Sequence, residues 1–218
     1  MLYDCTSAAD RERGIAAAIE AVGRGDLVVM PTDTVYGIGA DAFKPWAVTN
    51  LQAAKLRGRN MPPPVLIGAK RTLDGLVLSM PAAARDLVEA FWPGALTIIV
   101  TYAPSLQWDL GETGGTVALR MPLHPVALEV LRETGPMAVS SANRTGEPTA
   151  ATAAEAQEHL GYLVSVYLEA GPSADLVPST IIDATGEAPR LLRLGAVSEE
   201  QLRRVVPDLI GMERVGTQ

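Results

Sequence analysis

The segment Leu27-Val28-Val29-Met30-Pro31-Thr32-Asp33-Thr34-Val35-Tyr36-Gly37 joins a short apolar run to a polar turn. Residues 27–30 have the composition of a buried strand, and Pro31 cannot donate a hydrogen bond to a sheet. Gly37 permits backbone conformations that other residues resist. The segment therefore predicts a strand that ends in a shaped loop, where open α/β sheets bind ligands. The same hydroxyls and carboxylate could instead cap the next element.

Helical and strand patterns alternate along the rest of the chain, which is typical of α/β proteins. Ser7 with Asp10 resembles a capping box for a first helix, and Pro45, Pro81 and Pro125 suit first helical turns. The first predicted helix ends near Val22. The others span 45–55, 81–91, 125–132, a segment capped by Thr152 and Glu155, and 199–206 with a cap formed by Ser198 and Gln201. The predicted strands span 27–30, 65–67, 95–101, 116–120, 137–140, 163–168, 180–183 and 190–194.

These elements predict a single domain over residues 1–206, built on a mixed sheet with flanking helices. Pro207 and Gly211 mark residues 207–218 as a C-terminal tail. Residues 102–115 show no period and are expected to form a long loop, and such loops usually have a function.

The composition narrows the class of protein. The chain has 218 residues, 48% hydrophobic and 20% charged, with a formal net charge of -7. That charge argues against broad electrostatic capture of nucleic acid. One cysteine and two histidines exclude an intramolecular disulfide and a cysteine-based zinc cluster. No signal segment and no long apolar run is present, so we expect a soluble cytoplasmic protein with no membrane contact.

A cluster of cations follows the second predicted helix, in the stretch Lys55-Leu56-Arg57-Gly58-Arg59. Lysine supplies a point charge and arginine a planar fork, so the cluster is suited to holding phosphate. Cations also stabilise helix C-termini through the helix dipole, which gives a purely structural alternative. We expect Lys55 and Arg57 to lie at the edge of a loop.

A polar loop, Ser140-Ser141-Ala142-Asn143-Arg144-Thr145-Gly146, follows another apolar strand. Its small hydroxyls, amide and glycine allow close approach to an anionic or sugar-bearing ligand, although it could also be an ordinary turn. Arg120 and Arg193 lie on predicted strands, so each must either pair with a carboxylate in the fold or face a ligand.

The common nucleotide-binding and hydrolase signatures are missing from the sequence. It contains no Walker A loop, no dinucleotide-binding glycine fingerprint after a strand, and no nucleophile elbow. A serine–histidine–aspartate triad is nominally possible with His124, but its place before Pro125 favours a role at a helix start.

The order of these motifs along the chain is more specific than any one of them. It continues through Trp92-Pro93-Gly94, Arg120 before Pro122-x-His124-Pro125, Ser179-Thr180 and Leu192-Arg193-x-Gly195. Over roughly residues 15–198 the chain resembles the YrdC-type L-threonylcarbamoyladenylate synthases, in their short single-domain form. The resemblance implies a twisted mixed sheet with helices around a concave cationic cleft.

The resemblance also implies an activity. Members of this family are nucleotidyltransferases that convert L-threonine, bicarbonate or CO2, and ATP into threonylcarbamoyl-AMP and pyrophosphate, for the threonylcarbamoyladenosine (t6A) modification of tRNA. It implies Mg²⁺ bound with ATP rather than by the protein, and tRNA or tRNA-modification proteins as possible partners.

The matching motif positions imply the site residues. Lys55 and Arg57 are expected to be catalytic, since they can neutralise charge while the threonine carbamate attacks the α-phosphorus. The remaining assignments are L-threonine binding by Thr32, Arg120, Val139 and Ser179, and ATP binding by Lys55, Arg57, Thr116, Ser141, Asn143, Thr149 and Arg193.

One departure from the family pattern concerns the threonine pocket. Many members have Asn-Pro-Leu-Ile-x-His after the Lys-x-Arg motif, whereas this chain has Gly68 where that histidine is expected, so the selection of threonine over serine is open. Two other functions also stay open: a non-catalytic module that binds double-stranded RNA or tRNA, and a paralogue that adenylates a different carbamate.

Overall fold

A computed structural model describes residues 1–174 and 176–212. The strands are β1 Leu2–Asp4, β2 Val28–Met30, β3 Gly37–Asp41, β4 Val65–Leu66, β5 Leu96–Thr101, β6 Thr116–Arg120, β7 Met137–Ser141, β8 Val166–Glu169, β9 Thr180–Asp183 and β10 Arg190–Arg193. The helices are α1 Ala8–Arg24, α2 Pro45–Ala54, α3 Leu73–Leu76, α4 Ala82–Phe91, α5 Pro125–Thr134, α6 Ala153–Leu160 and α7 Glu199–Val205, with 3₁₀ turns at Lys70–Thr72 and Gly161–Leu163.

The strands form one ten-stranded mixed sheet in the order β1-β8-β2-β3-β7-β4-β6-β5-β9-β10. Parallel pairs join β8 to β1 and β2, β4 to β6, and β5 to β9. The other neighbours are antiparallel, including the hairpin of β2 and β3, in which Met30 pairs with Gly37. The hairpin register holds the two ends of the loop 31–36 side by side.

Helices pack against both faces of the sheet. Val28 and Met30 belong to a buried cluster with α1 and α5, whereas Val29 belongs to a second cluster with α2, α4, α6 and α7. Successive side chains of β2 therefore enter opposite cores, as expected for a strand covered on both faces. The predicted mixed α/β fold is confirmed.

Most predicted elements are confirmed, but β1, β3 and α3 were missed. Two glycines hid β3, because glycine weakens a strand. A Cβ at Gly37 would lie 2.7 Å from Val139 Cγ1, and one at Gly39 would lie 2.8 Å from Met137 Cε. Both glycines are thus explained by close packing of β7 side chains, which a sequence pattern does not reveal.

Two predictions about the ends of the fold need correction. Ser7 precedes α1, but its side chain makes no capping hydrogen bond. The predicted tail starts too early, because Leu209 is buried in the core and the Ile210 backbone forms a bridge with Arg190. The packed chain therefore extends past residue 206. Residues 213–218 of the predicted tail lie outside the described residues.

Candidate functional site

A cavity of about 580 Å³ lies over β5, β6, β7 and β9. Leu66 and Val139 line it and also belong to the cluster with α1 and α5, so it opens on that face of the sheet, where those helices leave strands uncovered. Nine of the eleven predicted site residues line the cavity: Thr32, Arg57, Thr116, Arg120, Val139, Ser141, Thr149, Ser179 and Arg193.

The Thr32 hydroxyl makes three hydrogen bonds to the backbone of the loop between β2 and β3. Its hydroxyl oxygen accepts hydrogen bonds from the backbone N–H groups of Thr34 and Val35, both at 3.2 Å, and donates to the Val35 carbonyl at 2.6 Å. These bonds fix the turn. The predicted contact of Thr32 with L-threonine stays a prediction, because the hydroxyl already has partners within the loop.

Arg120 is held from three sides at the end of β6. Its Nε donates to the Gly94 carbonyl at 3.0 Å, Nη1 donates to Thr34 Oγ1 at 2.9 Å, and Nη2 pairs with the Asp33 carboxylate. Asp33 also accepts from the Leu123 N–H at 2.9 Å. A guanidinium has five N–H groups, so two have no partner among the described residues, one on each terminal nitrogen. Burial lowers the pKa of Arg120 even beside Asp33.

Tyr36 connects the loop between β2 and β3 to the start of α6. Its buried hydroxyl lies 2.8 Å from the Glu169 carboxylate and 2.7 Å from the Gly171 carbonyl, and burial raises its pKa. The other oxygen of Glu169 accepts from the Ala153 N–H at 2.8 Å, in the first turn of α6. One carboxylate therefore joins two segments that carry cavity residues.

Lys55 lies behind the cavity wall rather than at a loop edge, because its residue is only 1% exposed. Its Nζ donates to the Ser141 carbonyl at 2.5 Å, to the Asn143 carbonyl, and to Asn143 Oδ1 at 3.1 Å. Burial and the nearby charge of Arg57 lower the pKa of Lys55 to about 7. The structure therefore gives Lys55 a place in shaping the loop after β7, and its contact with ATP stays a prediction.

Asn143 also lies outside the cavity lining. Its Nδ2 donates to the carbonyls of Arg144 at 3.0 Å and Glu147 at 2.7 Å, while its Oδ1 accepts from Lys55. All these bonds are internal to the protein. Asn143 thus orders the polar loop, and its contact with ATP stays a prediction.

Arg57 is the lining cation closest in sequence to Lys55. It is half-buried, and it donates to Ser140 Oγ at 3.1 Å and Thr145 Oγ1 at 3.2 Å. Burial lowers its pKa. Among the described residues no carboxylate pairs with it, so its charge is available to an anionic ligand.

Arg193 crosses from β10 to the start of β9. Its Nε and Nη2 donate to the Ser179 carbonyl at 3.1 and 2.7 Å, and Nη2 also lies 3.2 Å from Ser179 Oγ. Gly195 allows this approach, since a Cβ there would lie 2.2 Å from the Pro178 carbonyl oxygen. No ion pair to Arg193 is formed within the described residues.

The charge of the lining follows from these arginines. Of the described residues that line the cavity, three are arginines and none is an aspartate or glutamate. Within the described ranges, no group of three or more histidine, cysteine, aspartate and glutamate side chains could hold a metal ion. The arrangement is suited to ligands with several anionic oxygens.

Sequence reasoning missed the apolar walls of the cavity and one buried hydroxyl. The additional lining includes Pro62, Pro63, Pro64, Leu66, Thr97, Ile99, Leu110, Ala118, Leu176 and Ile181. The alternation of β5 offered a signal: Leu96, Ile98 and Val100 enter the core, so Thr97 between them faces the other side. The apolar residues of the lining are scattered along the sequence, so no comparable pattern predicts that they face the cavity.

Gly68 packs against the backbone of α5, and the selection of threonine over serine stays open. Gly68 does not line the cavity, and a Cβ there would lie 2.7 Å from the backbone nitrogen of Arg132 in α5. Leu66 instead lines the cavity and pairs in register with Arg120. The side chain that β4 contributes to the cavity is therefore leucine.

The long loop 102–115 is packed down at one end of the cavity. Leu110 is buried and lines the cavity, and Arg59 pairs with Asp109 at 2.7 Å. The Glu112 N–H donates to the Arg59 carbonyl at 2.8 Å. The loop and the segment after Arg57 therefore form one wall.

Solved structures share this fold and define its class, the YrdC-like α/β proteins. The chain superposes on a structure of P. abyssi Sua5 with a TM-score of 0.91 and 30% identity, covering 97% of this chain and 62% of that one. A second P. abyssi Sua5 structure, complexed with L-threonine, gives a TM-score of 0.87 with the same identity and coverage. The chain thus spans less than two thirds of that longer protein.

Sequence comparisons give the family. The model for the Sua5, YciO and YrdC proteins, described as "Telomere recombination", matches residues 20–195. A Mycobacterium tuberculosis protein provisionally named threonylcarbamoyl-AMP synthase is 59% identical over 204 residues, 94% of both chains. The Bacillus subtilis threonylcarbamoyl-AMP synthase is 37% identical over 194 residues, 88% of this chain and 56% of that protein. The chain belongs to the Sua5/YciO/YrdC family.

Proposed function

We propose that this protein is a threonylcarbamoyl-AMP synthase, a nucleotidyltransferase that forms threonylcarbamoyl-AMP and pyrophosphate from L-threonine, CO2 or bicarbonate, and ATP. The observation that carries the proposal is the convergence of nine predicted residues, from separate segments of the chain, on one cavity with three arginines. The names of its relatives in M. tuberculosis and B. subtilis support the same activity.

The reaction needs no nucleophile from the protein. The threonine amine adds to CO2 and loses a proton to give a carbamate, whose oxygen attacks the α-phosphorus of ATP. A P–O bond to the carbamate forms as the bond to pyrophosphate breaks. The protein must hold two anions together and balance the charge that develops at phosphorus.

The cavity residues are suited to holding the two anions. Within the described part of the chain, Arg120 keeps one unpartnered N–H on each terminal nitrogen, and a fork of this kind suits the threonine carboxylate. Arg57 has no carboxylate partner among the described residues and suits the phosphates of ATP. Lys55 holds the Ser141–Asn143 backbone in place from behind the wall.

Mg²⁺ enters the proposal with ATP. The described lining offers hydroxyl groups but no carboxylate, so the ion would be held by phosphate oxygens and water, as Mg²⁺ in nucleotide sites often is. It would supply further charge neutralisation at the phosphates.

Within the described residues, no helix is long and apolar enough to cross a membrane. The proposed setting is the cytoplasm, where the product would supply tRNA modification.

The test is release of pyrophosphate under omission of each substrate in turn. We expect release only when ATP, L-threonine and bicarbonate are all present, and formation of threonylcarbamoyl-AMP by mass spectrometry. Arg57→Ala should lose this activity, whereas Arg132→Ala, a surface change on α5, should retain it. Release that proceeds equally without L-threonine would overturn the proposal, as would tight, salt-sensitive tRNA binding without adenylate formation.

A further inference from the structure

Thr97 is a buried polar residue that no assignment above uses. It is the only polar residue in the run Leu96–Val100, and it is 3% exposed. Its neighbours on β5 enter the core, while Thr97 lines the cavity. A buried hydroxyl without a partner costs about 1–3 kcal/mol, and valine would fill the same space in a strand. The presence of a buried hydroxyl at this position, rather than valine, therefore has to be explained by its hydrogen bonds or by a role in the cavity.

The partner of Thr97 is Ser179. The two hydroxyl oxygens lie 2.8 Å apart, and Ser179 Oγ also lies 3.2 Å from Arg193 Nη2. Arginine has only donors, so Ser179 Oγ must accept from it. Both hydroxyl residues line the cavity, and Thr97 has no other hydrogen bond within the described residues.

The protons of the pair can be counted. Two hydroxyls carry two O–H protons, and the bond between them uses one. If Thr97 donates to Ser179, the Ser179 proton is free; if Ser179 donates, the Thr97 proton is free. In both arrangements one O–H remains for a ligand in the cavity. Arg193 and Thr97 together also hold the Ser179 side chain in one rotamer.

We propose that Thr97 is a positioning residue that donates its hydrogen bond to Ser179, so that the Ser179 O–H is directed at an acceptor oxygen of the bound amino acid. This inference rests on the proposed function, in which Ser179 belongs to the L-threonine pocket. The strand places the pair well, because β5 and β9 are adjacent and parallel, and Thr97 pairs in register with Ile181.

Thr97→Val tests the role with a nearly isosteric change. We expect the KM for L-threonine to rise about tenfold, the size expected for one hydrogen bond in a site, while the KM for ATP changes by less than about twofold. Thr97→Ser keeps the hydroxyl and should restore the wild-type KM. Thr101→Val is the matched control, because Thr101 ends the same strand but does not line the cavity.

A double-mutant cycle with Ser179→Ala separates action through Ser179 from a direct contact. Thr97→Val should raise the KM for L-threonine in the wild-type background and have little effect in the Ser179→Ala background. Equal effects in both backgrounds would overturn the inference. So would a Thr97→Val protein with unchanged KM and only a lower melting temperature, which is what a structural role alone predicts.

The same assays distinguish this inference from the proposed function. A wild-type protein without L-threonine-dependent pyrophosphate release would overturn both. A wild-type protein with that activity, together with additive effects in the cycle, would leave the function in place and remove only the role of Thr97.

Discussion

Asp33 is the residue on which the orientation of Arg120 depends. It accepts from Arg120 and from the Leu123 N–H, and its side chain is 15% exposed against 8% for the arginine. Arg120 is the buried member of this pair, so removing Asp33 leaves a buried charge without compensation. The carboxylate thus serves to hold the arginine where a ligand can reach it.

We expect Asp33→Ala to lower the free energy of unfolding by about 3–5 kcal/mol, because Arg120 is left buried and unpaired. Adding Arg120→Met should recover part of that loss. Urea unfolding of the single and double variants measures the coupling. Additive losses would show that the two side chains do not depend on each other.

Lys55 and Arg57 should respond differently to alanine. Lys55→Ala removes a buried side chain and leaves the buried Asn143 carbonyl without its donor, while the Ser141 carbonyl keeps the Asn143 N–H, so we expect a loss of at least about 2 kcal/mol in stability as well as activity. Arg57→Ala removes a half-buried lining cation and should reduce activity with little change in stability. Denaturant titration and pyrophosphate release, measured on both variants, check this; equal stability of the two would contradict the placement of Lys55.

At the scale of elements, the end of β4 meets the end of α5 at Gly68. A Cβ on Gly68 would lie 2.7 Å from the Arg132 nitrogen and 2.8 Å from the Leu131 carbonyl carbon, both backbone atoms that cannot rotate away. The helix and the strand are therefore as close as their backbones allow.

Gly68→Ala should consequently reduce the free energy of unfolding by about 1–3 kcal/mol through overpacking. Gly23→Ala is the matched control, since Gly23 is in α1 and a Cβ there would have no atom within 4 Å. It should be neutral or stabilise by up to about 1 kcal/mol through helix propensity. Thermal unfolding of both variants measures these changes in stability. A Gly68→Ala protein as stable as the wild type would refute the close contact.

The wall formed by loop 102–115 depends on apolar burial more than on its ion pair. Leu110 is 2% exposed, whereas the side chains of Arg59 and Asp109 are 54% and 44% exposed. Exposed ion pairs contribute about 0–1 kcal/mol. A buried leucine cut to alanine costs about 2–5 kcal/mol.

Leu110→Ala should therefore make the loop more sensitive to limited proteolysis and should destabilise the protein, while Asp109→Ala should do neither. Cleavage rates and urea midpoints of both variants, compared with the wild type, provide the measurement. If Asp109→Ala had the larger effect, the ion pair would be the principal attachment of the loop.

The whole molecule should show the titration of Lys55 in its stability. The pKa of Lys55 is lowered to about 7 in the folded protein, from an ordinary value of 10.5. Between those values the unfolded chain binds a proton that the folded protein does not bind. Stability due to this group therefore rises with pH from about 7 towards 10, by at most about 1.4 kcal/mol per pH unit.

Comparison of the wild type with Lys55→Met isolates this contribution, because all other titrating groups are shared. We expect the wild-type advantage in unfolding free energy to grow between about pH 7 and pH 9. Parallel stability curves over that range would show that Lys55 keeps its ordinary pKa in the folded state.

The sequence predicts the features of the molecule that have local causes. Caps such as Ser198 with Gln201, helix-opening prolines, and β-branched runs identify most elements, and the order of motifs identifies nine of the residues that line the cavity. The burial of Lys55 could not be predicted, because it depends on carbonyl groups 86 and 88 residues away. The strand β3 was missed because the packing that requires Gly37 and Gly39 comes from β7.

The order of strands in the sheet has a consequence for synthesis on the ribosome. The hairpin of β2 and β3 is local, but β8 must enter between β1 and β2, and β9 beside β5. Ser179 and Arg193 reach the cavity only after those strands have emerged. A nascent chain that stops before β9 thus has an open sheet edge at β5 and a cavity that lacks the residues of β9 and β10, and such edges favour aggregation. Only a chain that includes β9 and β10 brings all the described lining residues together.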